Sequence, residues 1–138
     1  MADLIAALVA LLKADAGVAA LAGARVFGGE LPAAETRHMP RQAIVIQPSG
    51  GISLTAGSNA EHDTQRVDLF GYGRTPKEAA ELVAAAALGF RRVQRVVSAG
   101  VLIHWVRSGG GFSAGRDPDA AWPRAFQPFQ VFHALEEV

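Results

Sequence analysis

Cysteine is absent from the 138 residues. That removes disulfides, thiolate zinc sites and cysteine nucleophiles together, and it fits a reducing compartment. Net charge is absent too: 13 basic and 13 acidic side chains cancel. The chain therefore has no global electrostatic footprint for nucleic acid or an acidic membrane, and copies of it repel one another little. Long apolar runs are also missing. The stretch from Met1 to Leu12 is apolar but too short to span a bilayer. Asp3 precedes it and Lys13 follows it, so the basic start of a secretory signal is lacking. It reads as a core helix of a soluble, cytoplasmic protein.

What is present suits a packed fold. Hydrophobic residues make up 50% and charged residues 19%, a balance that excludes wholesale disorder. The length is that of one domain, residues 1–138, large enough for a core without staples.

Leu4, Leu8, Leu11 and Leu12 recur at helical spacing, with Ile5 and Val9 widening the stripe. This predicts a helix over 3–14, capped by Asp3. Asp15 can cap a short second turn carrying Val18 and Leu21, and Gly23 ends it. Residues 25–27 lead out extended, and 28–42 read as a loop with two glycines and two prolines. AIVIQ at 43–47 is a strand. Residues 48–63 read as a long hairpin arm in which Ile52 and Leu54 alternate. Arg66–Tyr72 alternates, with Val67 and Leu69 on one face and Arg66, Asp68 and Phe70 on the other. Thr75-Pro76-Lys77-Glu78 carries an N-cap, a proline at the first helical position and a capping-box glutamate. Ala79, Leu82, Val83, Ala86 and Phe90 continue at helical spacing, predicting a helix over 75–91. Strands are expected at 100–107 and 126–135, with a long loop at 109–124 holding Phe112 and Trp122. The order predicts an α+β fold: a mainly antiparallel sheet, two helices packed on one side, and long projecting loops.

The usual catalytic patterns do not assemble. His38, His62, His104 and His133 show no metal-ligand spacing. His62 and Asp63 beside Ser58 suggest a hydrolase triad, yet no nucleophile elbow accompanies them. Gly28-Gly29 and Gly109-Gly110-Gly111 lack the Lys-Ser or Lys-Thr of a phosphate loop. Asp117 and Asp119 begin a calcium-loop alternation that then stops. Arg91, Arg92 and Arg95 form a basic cluster where the second long helix ends, which suits the helix dipole. No aromatic ladder accompanies it for nucleic acid. On the residues alone, no cofactor, metal or catalytic group is assigned.

The arrangement resembles the tail-completion, or tail-terminator, family of long-tailed phages and phage-derived gene transfer agents. Carrying the resemblance are the opening LIAALVALLKADAGVAALAGARVFGGELP, the strand AIVIQPSGG, the run DTQRVDLFGYGRTPKEAAELVAAAALGF and the closing FQPFQVFHALEEV. The longer 109–124 loop departs from the family pattern. The resemblance implies a structural virion protein that is not an enzyme. It implies a homohexameric ring at the head-proximal end of the tail tube, ending tube polymerisation and joining tail to neck. The implied partners are further copies, the tube protein and a neck or connector protein. DNA would pass through the lumen without specific binding, and no membrane is involved. Assembly would be cytoplasmic, followed by release in the particle. Competing readings are another head–tail connector protein, a small hydrolase using Ser58, His62 and Asp63, and a nucleic-acid binder using Arg91, Arg92 and Arg95. The expected assembly anchors are Ile52, Leu54, Phe112 and Trp122, large apolar side chains on polar, glycine-rich loops.

Overall fold

The computed structural model describes residues 3–50 and 62–135. Helix α1 (Leu4–Ala14) starts at Asp3, whose carboxylate accepts the Ala6 N–H at 3.0 Å. Asp15 is extended and ends α1. Its side chain then accepts the Val18 N–H at 3.0 Å and opens α2 (Ala16–Ala22). One residue thus closes one helix and caps the next, turning the chain by 84°. No single helix among the described residues is long and apolar enough to cross a membrane.

Strand β1 (Val26–Gly28) pairs in parallel with β2 (Ala43–Gly50), and a single turn, α3 (Ala33–Thr36), lies in the connection. There Arg41 grips Glu35 through two hydrogen bonds of 2.7 and 2.8 Å. The fork holds the Glu35 carboxyl below the usual carboxylate range. Strand β3 (His62–Tyr72) leads to α4 (Pro76–Arg91), and a tight hairpin follows from β4 (Val96–Ser98) to β5 (Val101–Ser108). Short β6 (Ser113–Arg116) precedes long β7 (Pro123–Ala134). The sheet order is β1-β2-β3-β7-β5-β4, with β6 also on β7 and every pairing but the first antiparallel. The expected α+β architecture is present.

Helix α4 begins where the sequence signals it. The Thr75 hydroxyl accepts the Glu78 N–H at 3.2 Å, while the Glu78 carboxylate takes the N–H of Arg74, one residue earlier than a standard capping box. Ala79, Leu82, Val83, Ala86 and Phe90 are all buried. They pack with Leu4, Leu8 and Leu12 of α1 and with Val67, Leu69, Ile44 and Ile46 of the sheet in one core. The helix comes close because Gly71 offers no side chain. A Cβ there would stand 2.6 Å from a methyl of Val83.

The stretch 109–124, expected as a loop, is largely a hairpin. Ser108 lies opposite Phe129 and Ser113 opposite Phe126, so β5 and β6 lie along the same flank of β7. The chain kinks between them at Gly109–Phe112. The chain runs close to β7 there: a Cβ on Gly110 would come within 2.9 Å of Pro128. Turn 117–122 closes the hairpin, with the Asp117 N–H donating to Trp122 C=O at 2.9 Å. What reads as loop composition is a short strand and turn after a kink, in which Gly110 gives the close approach to Pro128.

Candidate assembly surfaces

Alternation gives the sheet two unlike faces. Val67 and Leu69 point into the helix-covered core, with Val131 beside them. Their neighbours point the other way, to a face on which α1, α2 and α4 do not pack. Phe70 and Phe126 meet there, ring centres 5.2 Å apart, and the Arg124 guanidinium sits 4.7 Å over the Phe70 ring. Farther along, Phe132 lies between Trp105, at 5.7 Å, and His104, at 4.8 Å. Arg107 stacks on Trp105 at 4.2 Å. On the same face Arg66 and Asp68 stand 3.7 Å apart. The Arg66 Nε and Asp68 Oδ1 atoms are shielded from solvent, yet among the described residues neither has a hydrogen-bond partner. A shielded polar atom without a partner costs stability.

The anchors expected from sequence fare differently. Ile52 and Leu54 lie outside the described residues. Phe112 is 50% exposed. The kink directs it to the helix side, where it lines a shallow apolar groove with Ala80, Ala84 and Ala87 of α4. Leu88, 48% exposed, is also on α4. Trp122 is partly buried and packs on its own sheet, its ring edge-on to Tyr72 with centres 6.2 Å apart. Burial pushes the Tyr72 phenol up from its ordinary value. The Asp117 carboxylate accepts the Ala120 and Asp119 N–H groups at 2.8 and 2.9 Å and faces Arg124 at 3.7 Å. Those backbone donors, the Ala120 N–H foremost and Arg124 after them, hold its pKa down. The Asp117 carboxylate is thus a turn-closing device.

The basic cluster gains a fourth member. Where residues 91–95 round the edge of β5, Arg91, Arg92 and Arg95 meet Arg107 in a groove of about 730 Å³ floored by Trp105 and Phe132. None of these four arginines takes part in an ion pair among the described residues. Arg107 was not legible as a member, because a cross-strand register brings it there.

The register also joins two histidines and separates the suggested triad. His104, at a bulge in β5, meets His62 of β3, with Nε2 to Nδ1 at 3.1 Å. His133 is buried on the opposite face and bonded to the Ala134 carbonyl. Burial lowers the pKa of both His104 and His133. His62 and Asp63 are consecutive strand residues and so point to opposite faces. Asp63 accepts its neighbour Thr64's N–H, and Ser58 lies outside the described residues. Among the described residues no three histidine, aspartate or glutamate side chains gather as metal ligands.

Comparison with known proteins accords with this geometry. The family model described as "Tail completion protein gp17" matches residues 6–134. Among solved structures, a chain of the "Virion of native gene transfer agent (GTA) particle" shares the fold at a TM-score of 0.68 with 18% identity. The alignment covers 95% of this chain and 94% of that one. No curated protein matches the sequence.

Proposed function

The chain belongs to the tail completion protein gp17 family and is a structural tail protein rather than an enzyme; from that premise we propose that it closes the tail tube as a ring. Six copies, a hexamer, sit at the head-proximal end of the tube, end its polymerisation and present a docking surface to the neck. Partners are neighbouring copies, the tube protein and a neck or connector protein. DNA passes through the lumen without being gripped. The ring assembles in the cytoplasm and leaves in the released particle.

The observation that carries this reading is the unfinished face of the sheet. Phe70, Phe126, Phe132 and Trp105 share a face with Arg66 and Asp68, whose shielded Nε and Oδ1 atoms stand 3.7 Å apart and make no hydrogen bond among the described residues. An antiparallel sheet can leave one face to water, but that face is then normally polar. Rings interleaved with unsatisfied polar atoms suit a surface completed by another protein. Half-exposed Phe112 and Leu88 on the helix side supply a second apolar contact. Ile52, Leu54 and Trp122 complete the proposed set of anchors.

The test is mass in solution, measured for the purified chain alone and with tube protein. The ring reading expects a hexamer, either free or formed on the tube end. A chain that stays monomeric with tube ends present, yet binds the connector, would indicate a neck protein instead.

A further inference from the structure

We propose that the arginine-lined groove at the edge of β5 receives the acidic segment 135–138 of a neighbouring copy, an inference that rests on the ring reading above. Three observations lead to it.

First, the groove sits beside an open strand edge. Strand β4 covers β5 only at Val101–Ile103, and the Arg95 N–H donates to the His104 carbonyl just beyond. Among the described residues no strand accompanies Trp105 to Ser108 on that side. An extended segment can add there through main-chain hydrogen bonds.

Second, the groove is positive, with no compensating carboxylate among the described residues. Arg91, Arg92, Arg95 and Arg107 line it and no carboxylate does. The chain's 13 basic and 13 acidic side chains balance, so the carboxylates that offset this cluster in net charge lie outside the groove.

Third, the other carboxylates are mostly committed. Asp3 and Asp15 cap helices, Asp63 accepts from Thr64, and Glu78 accepts from Arg74. Glu35, Asp68, Glu81 and Asp117 face arginine or lysine. Among the described residues this leaves Glu30 and Asp119, which stand singly. The sequence holds one acidic doublet, Glu136-Glu137, between Leu135 and Val138. It directly follows β7, and Leu135 is already 40% exposed. Alternation along an added strand would turn one glutamate of the doublet to the arginines. A flanking apolar residue on the same face would meet Trp105 and Phe132.

The direction of β7 makes the donor a neighbour. Phe129 lies opposite Ser108 and His133 opposite Ile103, so β7, up to its end at Ala134, runs away from residues 104–107 of its own subunit. A head-to-tail contact of this kind generates a ring when the rotation closes.

The test titrates the intact chain into a fluorescent peptide of residues 133–138 and follows anisotropy at low and high salt. Saturable binding is expected, weakened at least about tenfold by Arg92→Glu with Arg95→Glu, by Glu136→Gln with Glu137→Gln in the peptide, and by high salt. In the intact chain, Glu136→Arg with Glu137→Arg should raise the concentration needed for ring formation. Combining it with Arg92→Glu and Arg95→Glu should restore assembly, an outcome that folding defects cannot produce. Three results would overturn the proposal: equal binding of the glutamine peptide, rings of normal mass and stability from the tail-reversed chain, or a groove that takes a short DNA duplex and ignores the peptide. Rings that form regardless of the tail sink this inference alone. Peptide binding by a chain that never forms a ring sinks the ring reading alone.

Discussion

His62 and His104, 42 positions apart in sequence, place their ring nitrogens 3.1 Å from each other on the helix-free face of the sheet. One imidazole must donate and the other accept, so the contact holds one shared proton. A second proton leaves two donors facing each other. His104 titrates low, chiefly because it is desolvated, with His62, Arg95 and His133 adding positive charge nearby. A histidine whose folded pKa is depressed binds fewer protons in the fold than in the unfolded chain. Its contribution to stability is therefore present at neutral pH and is lost as pH falls below about 6.5, the ordinary histidine value. Chemical denaturation between pH 8 and 5 should show this loss. His104→Gln should flatten the curve, with buried His133 supplying what remains.

Helix α4 is read most directly from sequence, and its energetics follow. Leu82 is fully buried, so Leu82→Ala should cost about 2–5 kcal/mol. Glu81→Lys, on the exposed face, should be nearly neutral. Thr75→Ala removes the cap and should cost about 1 kcal/mol. Equal losses for the substitutions at positions 81 and 82 in a urea titration would contradict the assigned face.

Gly71 and Gly73 are expected to resist even alanine. A Cβ on Gly71 meets Val83 at 2.6 Å, and one on Gly73 meets the Ala79 backbone nitrogen at 2.6 Å. Each substitution should destabilise by about 1–3 kcal/mol through overpacking. Gly115→Ala has open space around it and no positive φ, and should be tolerated. Melting temperatures of the three variants decide the matter.

These cases mark what sequence could and could not disclose. The Thr75-Pro76-Lys77-Glu78 cap and the alternation of β3 are local signals; the helix lies where it is expected, and β3 includes the expected Arg66–Tyr72 but starts earlier, at His62. The 109–124 hairpin was hidden because its glycines, which let the backbone pass close to Pro128, have the composition of a loop. The His62–His104 contact and the entry of Arg107 into the arginine cluster depend on strand register, which no local pattern encodes. The open face was half legible: Phe70 was assigned to the face opposite Val67. That no helix among the described residues covers Phe70 became apparent only when both long helices were placed on the other side.

The anchors differ in their expected behaviour. Phe112 is exposed, so Phe112→Ser should leave the melting curve almost unchanged while impairing assembly. Trp122 packs on Tyr72, so Trp122→Ala should lower stability as well. Comparing each variant's melting temperature with its yield of assembled tails separates the two. Loss of fold in Phe112→Ser would remove that residue from the assembly surface.

The central claim is that this chain ends the tail tube, and tail length tests it most directly. Electron micrographs of particles made without the protein should show tubes of uncontrolled length that fail to join heads, and resupply of the purified chain should restore uniform tails. Tubes of normal, uniform length in its absence would contradict the account.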